Sequence, residues 1–223
     1  MFLFVTLSQV VLFAGLAALL IFGTAGRLDL WNVWTYLGIL LGLFVVQTLA
    51  IHFKNPALLK ERAEPAVSGR FRLVMAIGAF GGFALLWGVA GLDQRIHWTD
   101  RIGPAGVVAG LVVFAIGLVL LMWPMLVNPF FSTAVRIQSD RGQEVISSGP
   151  YGVVRHPGYA GAVVAIVATA VALNSLLALL PALLCVAAIA YRTADEDRML
   201  QKDLPGYPDY AAKVRFRLVP GVW

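Results

Sequence analysis

Charged side chains are scarce in this chain of 223 residues. Lys, Arg, Asp and Glu together make up 13%, where a soluble globular protein carries about 25%. With 60% of the residues hydrophobic, that shortage excludes a water-soluble fold. Cysteine is nearly absent: Cys185 stands alone in an apolar run, so the chain holds no internal disulfide and no cysteine-based metal site. It reads as a buried, inert thiol. Only three histidines are present, His52, His97 and His156, far apart in sequence and distributed over both sides of the predicted topology, so no metal site is expected. No charged segment precedes the first apolar stretch and no small-residue cleavage site follows it. The stretch is therefore expected to be a retained helix rather than a removed export signal. Internal repeats and low-complexity segments are missing as well.

Long apolar runs are plentiful. Residues 3–23, 31–53, 73–92 and 103–127 are each long enough to cross a bilayer, which takes ~20 mainly apolar residues. A fifth region, residues 159–191, is too long for one ordinary span and is interrupted by Asn174-Ser175. Such a polar break is tolerated where the chain turns or packs on protein, so this region is expected to be a helical hairpin. The fold class is accordingly all-α: a polytopic integral membrane helical bundle of five to six transmembrane helices, the last two forming the hairpin. Residues 1–127 form a four-helix transmembrane region. Residues 128–223 form a second region of cytosolic loop, membrane hairpin and C-terminal tail.

A net charge of +5 could suggest nucleic acid, but here the basic residues lie between membrane spans. With six spans, fourteen lysines and arginines fall on one side and three on the other. The positive-inside bias puts loop 128–158 and both termini in the cytosol, with the basic residues meeting anionic headgroups. No nucleic-acid partner is expected. The setting is a cytoplasmic membrane, expected to be that of a prokaryote.

About 60 residues, the 128–159 stretch and the tail from 192, lie outside the spans, far more than connectors need. The first ends in Gly149-Pro150-Tyr151 and Arg155-His156-Pro157-Gly158-Tyr159. Pro157 suits the first turn of a helix, where its missing N–H costs nothing. A helix start, its dipole, Arg155 and His156 thus converge where the chain goes into the membrane, an arrangement that welcomes an anionic group. Arg155 can grip a carboxylate with two parallel N–H donors. Alternatively, Arg155 and His156 anchor the chain at headgroup level.

The last apolar arm runs into Tyr191, Arg192, Asp195, Glu196, Asp197 and Arg198. If the helix continues outward, Arg192 with Glu196 and Asp195 with Arg198 pair across one turn. Alternatively, one acid accepts hydrogen bonds from a ribose or an ammonium, or compensates a sulfonium. Leu200, Leu204, Tyr207 and Tyr210 offer an apolar and aromatic surface that can cover a ring or pack the tail on the bundle.

GPYGVVRHPGYAG at 149–161, followed beyond the hairpin by EDRML, DLPGYPDY and RLVP, resembles the isoprenylcysteine carboxyl methyltransferase family and related membrane phospholipid methyltransferases. The resemblance covers residues 128–223; the first three helices carry nothing diagnostic. It implies a helical membrane bundle whose cytosolic loop and tail fold over S-adenosylmethionine, with S-adenosylhomocysteine as product. It implies Tyr151, His156, Tyr159 and Gly161 in one cofactor-binding loop, Glu196 and Leu200 in a second cofactor-contacting element, and Arg155 and Glu196 as catalytic residues, Arg155 as the substrate-orienting one. The family commonly has two glutamates where this chain has Glu196-Asp197.

The acceptor implied is amphiphilic or lipid-like: a carboxylate of a prenylated cysteine or similar isoprenoid, with a phospholipid amine or a small thiol as alternatives. A carboxylate is ionised at pH 7 and needs no general base, whereas an amine or thiol must lose a proton. A non-enzymatic transporter or scaffold is the rival from another class. Ion or proton transport is disfavoured because the span interiors hold essentially no ionisable residue.

Overall fold

A computed structural model describes residues 1–63, 81–99, 101–132 and 136–223. Among them run eight α-helices and no strand: α1 Phe2–Ala25, α2 Trp31–Lys54, α3 Pro56–Ala63, α4 Gly82–Ile96, α5 Gly103–Val127, α6 Pro157–Ala172, α7 Leu179–Asp203 and α8 Tyr207–Lys213. The expected third span, residues 73–92, lies partly outside the described residues; its later part begins α4.

The long helices α1, α2 and α5 contain 24, 24 and 25 residues. At about 1.5 Å per residue each reaches ~36 Å, enough to cross ~30 Å of hydrocarbon, and all three are apolar enough to do so. Their outer faces expose Phe4, Leu12, Leu19, Val112 and Val119. Lipid tails solvate such side chains as well as a protein core does, and this is an integral membrane protein. Inside, Trp87 and Tyr36 are almost wholly buried, and the indole N–H of Trp87 donates to the Tyr36 hydroxyl at 3.1 Å. A buried donor left without water thus keeps a partner.

The most intimate contact in the bundle joins α5 to α6. A Cβ built on Gly161 would come 2.3 Å from the Leu121 backbone nitrogen of α5, and one on Gly110 would come 2.6 Å from the Ala172 nitrogen of α6. Only hydrogen at these two positions lets the helices touch backbone to backbone, the geometry by which small residues drive association in lipid.

The hairpin is present. It is formed by α6, a turn through Asn174 at φ 55, and α7. Ser175 Oγ donates to the buried Asp93 carboxylate of α4 at 2.5 Å, which also accepts the Thr99 backbone N–H at 2.8 Å. The polar break is thus a bonded junction that pins the hairpin turn to the far end of the bundle. The arms are unequal. Helix α6 has 16 residues, about 24 Å, a length that requires local thinning of the bilayer or protein contact. Helix α7 has 25 residues and runs past Tyr191 as a charged extension. At the opposite end, Phe2 and Leu3 pack with Ile51, Leu58, Leu59, Met125 and Phe131. The N-terminus, the end of α2, the end of α5, the start of α6 and the charged half of α7 therefore share one end of the bundle.

Candidate active site

At that end the chain leaves α5 through Asn128, whose Oδ1 accepts the Phe130 N–H at 2.8 Å. This local turn redirects the backbone across the bundle end. The loop is fastened to the bundle. Arg136 reaches Glu61 of α3 at 3.2 Å and Asp140 at 2.6 Å, and Gln138 Nε2 donates to the Phe130 carbonyl at 2.7 Å. A short 3₁₀ turn, Gly149–Gly152, buries Tyr151, whose hydroxyl accepts from Asn128 Nδ2 at 3.0 Å. The tail is laid against this loop: Arg155 N donates to Phe216 O and His156 N to Arg217 O, each at 2.9 Å. The Tyr210 hydroxyl donates to the Tyr151 carbonyl at 2.7 Å.

Asp197 is the hub of the assembly. It is fully buried, and its carboxylate accepts Arg155 Nε at 2.7 Å and Nη2 at 2.9 Å, Arg217 Nε at 2.9 Å, Gln201 Nε2 at 2.8 Å and the Tyr207 hydroxyl at 3.0 Å. His156 Nε2 lies 3.2 Å from the same carboxylate. Burial pushes this carboxyl toward protonation, but hydrogen bonds from His156, Arg155 and Arg217 outweigh it and hold the group well below the usual carboxylate range. Burial and the neighbouring Asp197 charge push the Tyr207 phenol upward, and burial raises Tyr210 to about 12. Both stay neutral and able to donate. One acid thus ties together the loop, α7, α8 and the tail.

Arg155 is engaged within the protein. The fork that could grip a substrate carboxylate is filled by Asp197, and Nη1 donates to the Val214 and Arg215 carbonyls at 2.9 and 2.8 Å. Arg155 still borders the cavity, as a clamp between loop, helix and tail. Glu196, one position earlier on α7, turns toward the cavity: its Oε2 accepts the Tyr159 hydroxyl at 2.7 Å, and Arg192 donates to that hydroxyl from behind. The expected pair of Arg192 with Glu196 is present at 4.0 Å, and that of Asp195 with Arg198 at 3.4 Å on the exposed face.

These elements line one cleft, partly open to solvent. Tyr151, Arg155, His156, Tyr159, Glu196 and Leu200 all line it, together with Leu204, Tyr207 and Tyr210. Gly161 does not; it lies a turn further along α6, against α5. Sequence reasoning missed Asp197 as the hub, with Gln201 and Arg217 as its partners, and missed the Arg136–Glu61 tether. A signal for Asp197 was available, since Thr193, Asp197, Leu200 and Leu204 follow a spacing of four, three and four, the stripe a helix turns inward.

A helical membrane bundle with a loop-and-tail cavity at one end is the class that fold and site define. Residues 105–204 match the phospholipid methyltransferase family model. That segment runs from the start of α5 to the end of α7 and contains Tyr151, Arg155, His156, Tyr159, Glu196 and Leu200 of the cavity wall, which supports a membrane methyltransferase. Among curated proteins none matches the chain. A solved structure of isoprenylcysteine carboxyl methyltransferase, a eukaryotic intramembrane Ras methyltransferase, is similar at a TM-score of 0.46 and 19% identity, over 94% of this chain and 73% of that one.

Proposed function

We propose that this chain is an S-adenosylmethionine-dependent methyltransferase that acts on an amphiphilic, lipid-like acceptor at the cytosolic face of the membrane. The observation that carries the reading is the meeting of loop and tail around one cavity, whose loop and α7 walls lie in the segment that matches the methyltransferase family.

The cavity residues suit the cofactor's chemistry. When bound, S-adenosylmethionine supplies an electrophilic methyl group on a positively charged sulfur. Glu196, partly exposed to the cavity, offers a carboxylate to offset that charge or to accept ribose hydroxyls. Phe130, Leu200 and Leu204 form an apolar wall for a purine. The start of α6, with Pro157 and Gly158 on the cavity wall, turns the positive end of its dipole toward a carboxylate. Arg155 and Asp197 act by holding the loop, α7 and the tail in register, so that both reactants are aligned. Positioning of this kind can lower a barrier by up to ~7–11 kcal/mol in the best intramolecular cases.

The acceptor is a carboxylate such as that of a prenylated cysteine, a phospholipid amine or a thiol. Arg155 is engaged by Asp197, which supports an amine or thiol over a carboxylate. A screen of lipid extracts with radiolabelled methyl donor tests the proposal. Methylated lipid from the wild-type protein, and at least tenfold less from Glu196→Ala at low donor concentration, is expected. Equal incorporation by the two proteins at every donor concentration would remove Glu196 from the cofactor site.

A further inference from the structure

The imidazole of His156 has two unlike sides. On the buried side, Nε2 lies 3.2 Å from Asp197 Oδ1 and 3.5 Å from the Tyr207 hydroxyl. On the other side, Nδ1 has no hydrogen-bond partner among the described residues; the nearest carboxylate oxygen, Glu196 Oε1, is 3.9 Å away on the cavity wall. The ring is also held in place. It stacks on Tyr159 with centroids 5.9 Å apart and planes 18° apart, and its own backbone N–H is bonded to the Arg217 carbonyl.

Asp197 cannot turn away, because Arg155, Arg217, Gln201 and Tyr207 all bond to it. An ionised, immobile carboxylate beside Nε2 selects the tautomer with its proton there. Nδ1 then keeps its lone pair on the cavity side. A carboxylate that orients an imidazole so that its other nitrogen can take a proton is the arrangement that activates nucleophiles in hydrolases. The proton of an acceptor bound in the cavity is then within reach of Nδ1.

We propose that His156 is the general base of methyl transfer, with Asp197 as its positioning residue, and that the acceptor atom bears a proton, as an amine nitrogen or a thiol sulfur does and an ionised carboxylate does not. The inference rests on the methyltransferase reading and narrows its substrate class. In the step, the N–H or S–H proton of a neutral acceptor passes to Nδ1. The electron pair left on the acceptor forms the bond to the methyl carbon. The bond between that carbon and the sulfonium breaks, and its electrons stay on sulfur. One positive charge leaves sulfur and one arises on the imidazole. Asp197 and Glu196 flank the imidazolium so formed; Arg155, Arg217 and Arg192 balance those two carboxylates from the loop, the tail and α7, and Tyr159 and Tyr207 face it from α6 and α8.

The test starts on the protein itself. With only three histidines in the chain, nitrogen NMR of ¹⁵N-histidine-labelled protein in nanodiscs resolves each ring, and His156→Gln assigns the signal. In the neutral ring the proton is expected on Nε2 and absent from Nδ1; a neutral ring with its proton on Nδ1 would overturn the proposal. Initial rates with radiolabelled donor are then measured on three acceptors: phosphatidylethanolamine, an alkyl thiol and S-farnesyl-N-acetylcysteine. Methylation of the amine or the thiol is expected, about a hundredfold slower in His156→Gln at saturating donor, with the acid limb of the pH–rate profile lost. Turnover confined to the carboxylate, or undiminished in His156→Gln, would contradict it. Calorimetry with S-adenosylhomocysteine separates the two claims: no binding to the wild-type protein sinks the cofactor reading, whereas binding by a protein whose neutral His156 ring carries its proton on Nδ1 sinks this inference alone.

Discussion

Asp197 and Glu196 are neighbours on one helix with opposite surroundings. Asp197 points inward and is surrounded by two guanidinium groups, while Glu196 looks into the cavity with one oxygen engaged by Tyr159. The inward position is better served by the shorter acid, because Arg155 approaches it in a two-pronged grip at 2.7 and 2.9 Å. Removing one member of a buried ion pair strands the other, at a cost of about 3–5 kcal/mol. Arg155→Ala should therefore lower the thermal midpoint in detergent as well as abolish activity, and Arg155→Lys should recover only part of the stability. An unchanged midpoint with lost activity would return Arg155 to the substrate. The sign of the acid response follows from the same contact. The folded carboxyl is held below its unfolded value of ~3.9, so its contribution is present above about pH 4 and fades as pH falls below that. Thermal midpoints measured from pH 6 down to pH 3 should drop more steeply in wild type than in Asp197→Asn.

Helices α5, α6 and α7 position the cavity, and they do so by different means. Helix α6 is seated by backbone contact at Gly161, so a valine there should be overpacked by about 1–3 kcal/mol. Gly15 has open space around it, and Gly15→Ala should leave the midpoint unchanged. Equal tolerance at both sites would refute the α5–α6 seat. The hairpin is legible in the sequence, because Asn174-Ser175 interrupts an otherwise apolar run and such groups must find partners. Those partners are not legible there: Asp93 is 82 positions from Ser175, and nothing in a one-dimensional pattern pairs them. The same limit applies to Asp197. Its inward face could be read from helical spacing, but its neutralisation by Arg155 and Arg217 depends on the tail folding back over the loop. Gly161, implied by resemblance to serve the cofactor, packs on the Leu121 backbone and seats the helix that carries Tyr159. The early stretch of residues 73–80 lies outside the described residues.

Across the bundle, polar material concentrates at the two ends and the apolar girth is left to lipid. The end with the cavity collects the N-terminus, the loop and the tail, and also carries most of the basic side chains, which is why a cytosolic orientation is proposed for it. In a Cys185→Ala background, a cysteine replacing Lys213 should react with a membrane-impermeant reagent only in inside-out vesicles. One replacing Leu176, exposed at the hairpin turn, should react only from the opposite side. The reverse pattern would invert the topology.

The central claim is that loop and tail together enclose a nucleoside-bearing methyl donor. Isothermal titration of the detergent-purified protein with S-adenosylhomocysteine tests it most directly. The account predicts saturable binding at one site per chain, with a dissociation constant of the order of micromolar to millimolar, the range in which enzymes commonly meet their substrates, and weaker binding in Glu196→Ala. No heat of binding from a folded protein, or the same affinity in both proteins, would contradict it.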